Sequence, residues 1–334
     1  MNISKIAIVK LSAMGDIVHC MVALEYIKKK FPNIKIDWIV ENSFSKVLQY
    51  NPNITNVYKV NLKSIKKNLF NIFRQIKLIR DISKNSYDLV IDAQGLIKSA
   101  IVCRLLGKNV AGFNKDCIRE SLASYFYSKK YDIPYHINTI DRNSKILSNP
   151  LGFDINSSDI LNKNIFLFYK NEDKIIYDFL SNSKKNILFI ISSTWESRNY
   201  PKEKFINIAN ILKENILVVY SNNSEKQKAI FMSQKSKYIK VVPKLDINTL
   251  KALISKCDLI IGNDTGPTHM AWGFNIPSIC IFGCTPISRV YKTAINKTIK
   301  SYSKVDPYKL NKNDFSITSI KESDIISLVQ EVLK

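Results

Sequence analysis

The strongest constraint on how this chain folds is a rhythm that recurs in both of its halves. A short apolar run is followed by a turn, then by an amphipathic helical stretch, then by another apolar run. In the first half the apolar runs fall at residues 6–11, 34–40, 57–60 and 89–92, with helical patterns near 18–30, 65–83 and 96–106. In the second half, runs at 187–191, 217–220, 239–242, 259–262 and 278–282 alternate with helical patterns near 202–213, 226–236, 246–255 and 269–273. Strands that alternate with helices form parallel sheets covered on both faces, because each parallel pair needs a crossover and the helix supplies it. The expected fold is therefore α/β, with two Rossmann-like, doubly wound domains facing across a cleft. At 334 residues the chain exceeds the usual single-domain range. The pattern weakens between 148 and 185 into Asn, Ser, Asp and Lys, which places the joint in that stretch. The expected domains are 1–160 and 161–320, followed by an amphipathic helix near the end of the chain.

In doubly wound domains ligands bind beyond the carboxyl ends of the strands, so the loops after strands are where chemistry is expected. Four segments answer that rule. After the first run comes Ser12-Ala13-Met14-Gly15-Asp16-Ile17-Val18-His19, with one glycine, one carboxylate and one histidine. It has neither the Gly-x-Gly-x-x-Gly of a dinucleotide site nor the Gly-Lys-Ser/Thr of a P-loop, which disfavours NAD and ATP. Asp16 has two readings: a helix cap, which aspartate favours, or a base that takes a proton from a substrate hydroxyl. The segment Asp92-Ala93-Gln94-Gly95-Leu96-Ile97-Lys98-Ser99 sets Lys98 one turn into the next helix. It reads as a pocket for hydroxyls and an anionic group, or as an ordinary loop.

In the second half, Ser192-Ser193-Thr194-Trp195-Glu196-Ser197-Arg198 offers three successive hydroxyls and an arginine able to bind diphosphate oxygens bidentately. The fourth segment, Gly262-Asn263-Asp264-Thr265-Gly266-Pro267-Thr268-His269-Met270, leads from an apolar run into a helix with proline just inside its start. Backbone N–H groups at a helix start point outward and the helix dipole favours an anion there. A diphosphate is expected at this turn, with Asp264 and Thr265 toward sugar hydroxyls.

Charge and cysteine usage bound the partners. The chain carries 50 Lys and Arg against 28 Asp and Glu, a formal charge of +22, which suggests nucleic acid, an anionic membrane or a phosphorylated substrate. The surplus is mostly lysine among abundant asparagine and isoleucine, so its clustering says more than its sum. The densest cluster, residues 59–84, interleaves Lys63, Lys66, Lys67, Arg74, Lys77 and Arg80 with Leu69, Phe70 and Phe73 at helical spacing. It suits an anionic lipid surface, or equally a solvated helix covering a sheet. No recognised nucleic-acid module accompanies the charge, which argues against a nucleic-acid partner. Six cysteines (Cys20, Cys103, Cys117, Cys257, Cys280, Cys284) lie in apolar segments without metal-ligand spacing, and are expected to be buried reduced thiols with no metal site. No signal-peptide pattern and no membrane-spanning run is evident, so a cytoplasmic protein is expected.

Residues 10–19, residues 91–99 and the run Asp264-Thr265-Gly266-Pro267-Thr268-His269 together resemble the lipopolysaccharide heptosyltransferases. The 91–99 segment looks like heptosyltransferase I in particular. The resemblance covers essentially the whole chain and adds Arg119-Glu120-Ser121-Leu122-Ala123-Ser124. It implies a GT-B fold whose C-terminal helix, 321–334, packs back toward the first domain. It also implies transfer of L-glycero-D-manno-heptose from ADP-heptose to the first Kdo of Kdo2-lipid A, with inversion and without a cofactor or metal. The enzyme would then work at the cytoplasmic face of the inner membrane. By resemblance, Asp16 is the base and Arg198 the catalytic cation. Ser193, Thr194, Glu225, Asp264, Thr265, Gly266, Pro267, Thr268 and His269 hold the donor, with Glu225 on the ribose. Gly15, His19, Lys63, Gln94, Lys98 and Arg119 serve the acceptor. The family's lysine before the aromatic-proline pair is Arg198 here, which keeps the charge in a different geometry. Another sugar transferase of the same fold, such as heptosyltransferase II, and a non-catalytic nucleotide-sugar or nucleic-acid-binding protein are the alternatives.

Overall fold

The computed structural model describes residues 3–334; Met1 and Asn2, the first residues of the expected domain 1–160, lie outside it. The chain divides at Phe168/Tyr169, inside the polar stretch 148–185 and eight residues beyond the expected boundary. Each unit holds one six-stranded sheet in which every neighbouring pair is parallel.

The strands of the first unit are β1 (Lys5–Val9), β2 (Lys35–Glu41), β3 (Asn56–Val60), β4 (Leu89–Asp92), β5 (Val110–Phe113) and β6 (Lys129–Tyr131). Its helices are α1 (Met14–Met21), α2 (Ala23–Lys30), α3 (Ser45–Leu48), α4 (Asn71–Ser83), α5 (Ile97–Leu106), α6 (Thr139–Ser148) and α7 (Ser157–Leu161). The sheet order is β3-β2-β1-β4-β5-β6. The inner strands β1, β2 and β4 are buried on both faces, which is why they read as continuous apolar runs. The single helix expected at 18–30 is two, α1 and α2, meeting at Val22, and α1 begins four residues earlier. The helix expected at 65–83 begins only at Asn71, after a 3₁₀ turn at Leu62–Lys66.

The second unit carries β7 (Asn186–Ile190), β8 (Asn215–Val218), β9 (Ile239–Val241), β10 (Leu259–Asn263), β11 (Ser278–Phe282) and β12 (Asn296–Lys300). Its helices are α8 (Lys202–Leu212), α9 (Asn223–Lys235), α10 (Ile247–Lys256), α11 (Gly266–Gly273) and α12 (Glu322–Val332). The order β12-β11-β10-β7-β8-β9 is the first unit's order over again, with β7 in the place of β1 and β10 in that of β4. Both are the Rossmann winding, whose strand order reverses once. That reversal lies between β1 and β4 in one sheet and between β7 and β10 in the other. The loops that leave those four strands are the four segments that the sequence singles out.

α12 packs on α8, and its Ile325 and Val329 join the second unit's core with Phe189, Phe205 and Ile281. The C-terminal segment that the resemblance sends toward the first domain thus buries its apolar face in the second. All six cysteines are buried and none is disulfide-bonded. Among the described residues no helix is long and apolar enough to cross a membrane.

Candidate active site

At the first switch point the loop after β1 leads directly into α1. Asp16 is at the third position of that helix, and its Oδ2 accepts from the Ala13 backbone N–H at 3.3 Å. Alanine has no side-chain acceptor to return the bond, so this is half of a capping box. The carboxylate keeps partial exposure, so the bond that fixes its rotamer leaves it open to solvent. Gln94 ties this loop to the next one: its Oε1 accepts from both Leu11 N–H and Ser12 N–H at 3.1 Å. A side chain from the loop after β4 therefore sets the backbone just ahead of Asp16.

Asp92, at 0% exposure, organises that second loop. Its Oδ1 accepts from Gln94 and Gly95 N–H at 2.8 and 3.0 Å, and its Oδ2 from the hydroxyls of Ser99 (2.9 Å) and Tyr127 (2.8 Å). Burial raises its pKa, and the four donors pull the other way. Gly95 adopts φ 71°, a conformation glycine reaches without strain. Lys10, also buried, donates from Nζ to Ala93 O at 2.7 Å.

Lys63, Lys98 and Arg119 are exposed, and Gly15 and Gln94 partly so. His19, assigned to the acceptor by resemblance, is instead buried: at 3% exposure it lies in the last turn of α1, inside the fold. Between the cations lies a carboxylate that sequence reasoning missed. Glu41, the last residue of β2, is nearly inaccessible and accepts from Leu62 N–H at 3.1 Å. Burial raises its pKa, against the opposing charges of Lys63 and Lys98.

The second switch point has a charged hub. Asp264, 1% exposed, follows β10. Its Oδ1 lies 2.9 Å from His269 Nε2, its Oδ2 lies 2.8 Å from Arg198 Nη2, and Arg289 Nη1 is 4.0 Å from the same oxygen. Arg198 Nη2 also donates to the Asp264 carbonyl. Burial by itself would raise the Asp264 pKa; the His269 hydrogen bond and the charges of Arg289, Arg198 and His269 outweigh it and hold the carboxyl well below the usual range. Both carboxylate oxygens are thus committed to protein groups, where the sequence reading expected them to face sugar hydroxyls. Asp264, His269 and Cys280 offer ligand atoms within 4.8 Å of one another, yet a cation entering there would meet two guanidinium groups beside an already shared carboxylate.

α11 begins at this hub. Its cap, Thr265, makes no side-chain cap bond, and Pro267 at the helix start lacks an N–H. The Gly266 and Thr268 amides are among the first N–H groups of the helix, which have no partner within it. Thr268 Oγ1 donates to Asn263 O at 2.8 Å, locking the turn. Gly262 cannot carry a side chain, since a Cβ there would come within 2.6 Å of Ile190 Cβ and 2.7 Å of Thr268 Oγ1.

In the loop after β7, Ser193 N–H donates to Asn199 Oδ1 at 2.7 Å and Ser193 Oγ to Trp195 O at 3.1 Å, while Thr194 is exposed. Of the nine buried side-chain polar atoms without a hydrogen-bond partner among the described residues, four gather at this switch point: Ser192 Oγ, Arg198 Nε, Asn263 Nδ2 and Thr285 Oγ1. They lie on or just beyond the C-terminal ends of the neighbouring strands β7, β10 and β11. Arg289 and Thr285 were missed by the sequence reading, although both lie in a loop after a strand. Glu225 closes the start of α9, its carboxylate accepting from Ser221 N–H (2.6 Å), Ser221 Oγ (2.8 Å) and Asn222 Nδ2 (2.8 Å).

Two like-wound sheets, a helix N-terminus with flanking arginines in one and a fixed carboxylate in the other, define a glycosyltransferase of the GT-B class. Solved structures agree on the fold. Escherichia coli heptosyltransferase WaaC with ADP superposes with a TM-score of 0.80 at 22% identity, covering 98% of this chain and 99% of that one. The structure of E. coli ADP-heptose lps heptosyltransferase II gives 0.74 at 14% identity, with 98% of each chain covered.

The chain belongs to glycosyltransferase family 9, the heptosyltransferases, whose model matches residues 75–316. It is 37% identical to lipopolysaccharide heptosyltransferase 1 of Campylobacter coli over 98% of both chains. It is 26% identical to the Escherichia coli K12 protein of the same name over 84% of this chain and 88% of that one.

Proposed function

We propose that the chain is a heptosyltransferase I, moving L-glycero-D-manno-heptose from ADP-heptose to the first Kdo of Kdo2-lipid A with inversion at the anomeric carbon. The observation that carries this reading is the placement of a fixed, partly exposed carboxylate at one switch point and an arginine-flanked helix start at the other. The 37% identity to a heptosyltransferase 1 over 98% of the chain supports the choice of sugar and acceptor.

Asp16 accepts the proton of the acceptor hydroxyl as its oxygen bonds to the anomeric carbon. The bond from that carbon to the diphosphate breaks, and its electron pair leaves with ADP. The Gly266 and Thr268 amides meet the departing charge, with Arg198 and Arg289 beside them. The unsatisfied atoms of Ser192, Arg198, Asn263 and Thr285 supply donors that diphosphate oxygens would satisfy. Ser193 and Thr194 line the same loop, and Glu225 reaches the ribose by exchanging its Ser221 and Asn222 donors for ribose hydroxyls. Asp264 acts through Arg198 and His269, fixing the guanidinium and the imidazole beside the donor. Lys63, Lys98 and Arg119 suit the anionic groups of the acceptor, and Gln94 and Gly15 shape the loop beside it.

Cations, amides and one carboxylate suffice for this chemistry, so the reading requires no metal or cofactor. A lipid-borne acceptor places the enzyme in the cytoplasm, peripheral to the inner membrane. The decisive experiment incubates purified protein with ADP-heptose and either Kdo2-lipid A or an already heptosylated acceptor. Product from the first supports the assignment, and product from the second alone overturns it.

A further inference from the structure

Three large apolar side chains stand side by side in water at the start of α4. Leu69 is 76% exposed, Phe70 79% and Phe73 69%. The helix has already used its inner face: Gln75, Ile79 and Ile82, spaced i, i+4 and i+7, are its buried residues. At 100° per residue, Phe70, Phe73, Lys77 and Arg80 project from the opposite side. Leu69 and Phe70 are held there by turns rather than left loose, since Asn71 N–H donates to Asn68 O and Ile72 N–H to Leu69 O.

The surroundings of this patch are one-sided in charge. Residues 59–84 contain eight basic side chains and one acidic, Asp81. That carboxylate is paired with Lys84 at 2.7 Å and also faces the charge of Lys77, so within the segment Lys66, Lys67, Arg74 and Arg80 around the phenylalanines have no acidic counterpart. A protein partner would be an awkward match, because lysine is depleted from protein interfaces. An anionic bilayer surface takes both components together: aromatic and leucine side chains enter the acyl boundary while lysine and arginine stay with the headgroup phosphates.

We propose that residues 66–80 form a membrane-docking element, with Leu69, Phe70 and Phe73 entering an anionic phospholipid interface and the flanking basic residues bound to its phosphates. This deepens the reading of a lipid-borne acceptor by naming the surface that meets the membrane, and it rests on that reading only for its purpose. The docking itself follows from exposure and charge.

The test is co-sedimentation of the intact protein with phosphatidylcholine vesicles containing or lacking phosphatidylglycerol, for the parent and for the triple variant Leu69→Ser, Phe70→Ser, Phe73→Ser. The parent binds the anionic vesicles, salt weakens that binding, and the variant binds about tenfold more weakly or less. ADP affinity by calorimetry and the melting temperature stay those of the parent, which separates this result from misfolding and from failure of the donor-site reading. A Phe70→Trp variant adds a readout independent of binding strength, a blue-shifted emission on anionic vesicles alone. Three results overturn the proposal: a triple variant that sediments like the parent, a parent that ignores anionic vesicles, and a patch whose removal instead abolishes self-association in sedimentation velocity.

Discussion

Removing the charge of Asp264 separates the hub's architecture from its chemistry. Asp264→Asn preserves the shape but puts an amide donor where the carboxylate now accepts from Arg198 at 2.8 Å and lies 2.9 Å from His269. Two unit charges about 4 Å apart interact by roughly 4 kcal/mol at an effective dielectric of ~20. Stranding one member of a buried pair costs about 3–5 kcal/mol, because the other remains desolvated and uncompensated. Arg198→Met is the milder change. It leaves the carboxylate with His269 and with Arg289, whose Nη1 is 4.0 Å away, so its cost is about 2–3 kcal/mol. The double variant removes both charges together and costs less than the sum, with a coupling of about 2–3 kcal/mol. Urea unfolding of the four proteins, at one ionic strength, gives the cycle. Additivity within about 0.5 kcal/mol, or Arg198→Met costing more than Asp264→Asn, would refute the picture of one carboxylate shared among Arg198, Arg289 and His269.

Asp16→Ala removes the proposed base together with its bond to the Ala13 N–H. We expect kcat to fall by about 10²–10⁴ while calorimetric ADP affinity is retained, and undiminished turnover removes Asp16 from the mechanism. Gly262→Ala forces a methyl within 2.6 Å of Ile190 Cβ and 2.7 Å of Thr268 Oγ1. It should destabilise by about 1–3 kcal/mol or more and weaken ADP binding; a variant that melts and binds like the parent contradicts the packing described. Burial lowers the ammonium groups of Lys251 and Lys163 from an ordinary 10.5 to about 8. Between about 8 and 10.5 the unfolded chain holds protons on these two lysines that the folded chain has released, so their contribution to stability rises with pH across that window, while buried thiols such as Cys20 and Cys257, raised above their ordinary 9.0, pull the other way above about 9. The melting temperature of the parent relative to that of Lys251→Met should therefore rise from about pH 8 to 10.5, and a difference that stays constant contradicts a depressed Lys251.

How much of this was legible beforehand depended on how much of each element's reason lies within the element. β4 and β11 were delimited correctly because every residue in them is buried and apolar runs have no other cause. The edge strands β6 and β12 were missed, since Lys-Lys-Tyr and Asn-Lys-Thr-Ile-Lys carry the charges an exposed edge tolerates. β5, Val-Ala-Gly-Phe, was missed because its glycine is set by a distant residue: a Cβ on Gly112 would come within 2.4 Å of the Tyr127 ring. The switch-point loops were readable, as loop position after a strand is a local property. The identity of Asp92 as a hub was not, because its partner Tyr127 is 35 residues away. Arg289 was within reach of the same loop rule that found Arg198, but it lacks the three successive hydroxyls, Ser192-Ser193-Thr194, that drew attention to that segment. The glycines and the carboxylate of 262–270 announced an anion site, but that the carboxylate is spent on Arg198 and His269 depends on how the loops after β7 and β10 meet, which no local pattern encodes.

The repetition of one winding in both sheets bears on how such a chain can change its specificity. Each half presents its candidate site loops at the same address, after its first and fourth strands, on a sheet whose inner strands are buried on both faces. Under the proposed roles, residues 12–19 and 93–99 serve the acceptor and 191–200 and 264–269 the donor, so the two recognitions rest on separate sheets and exposed residues of one can be substituted without touching the other sheet. The chain is in that respect two separately editable sites, one on each copy of the same winding.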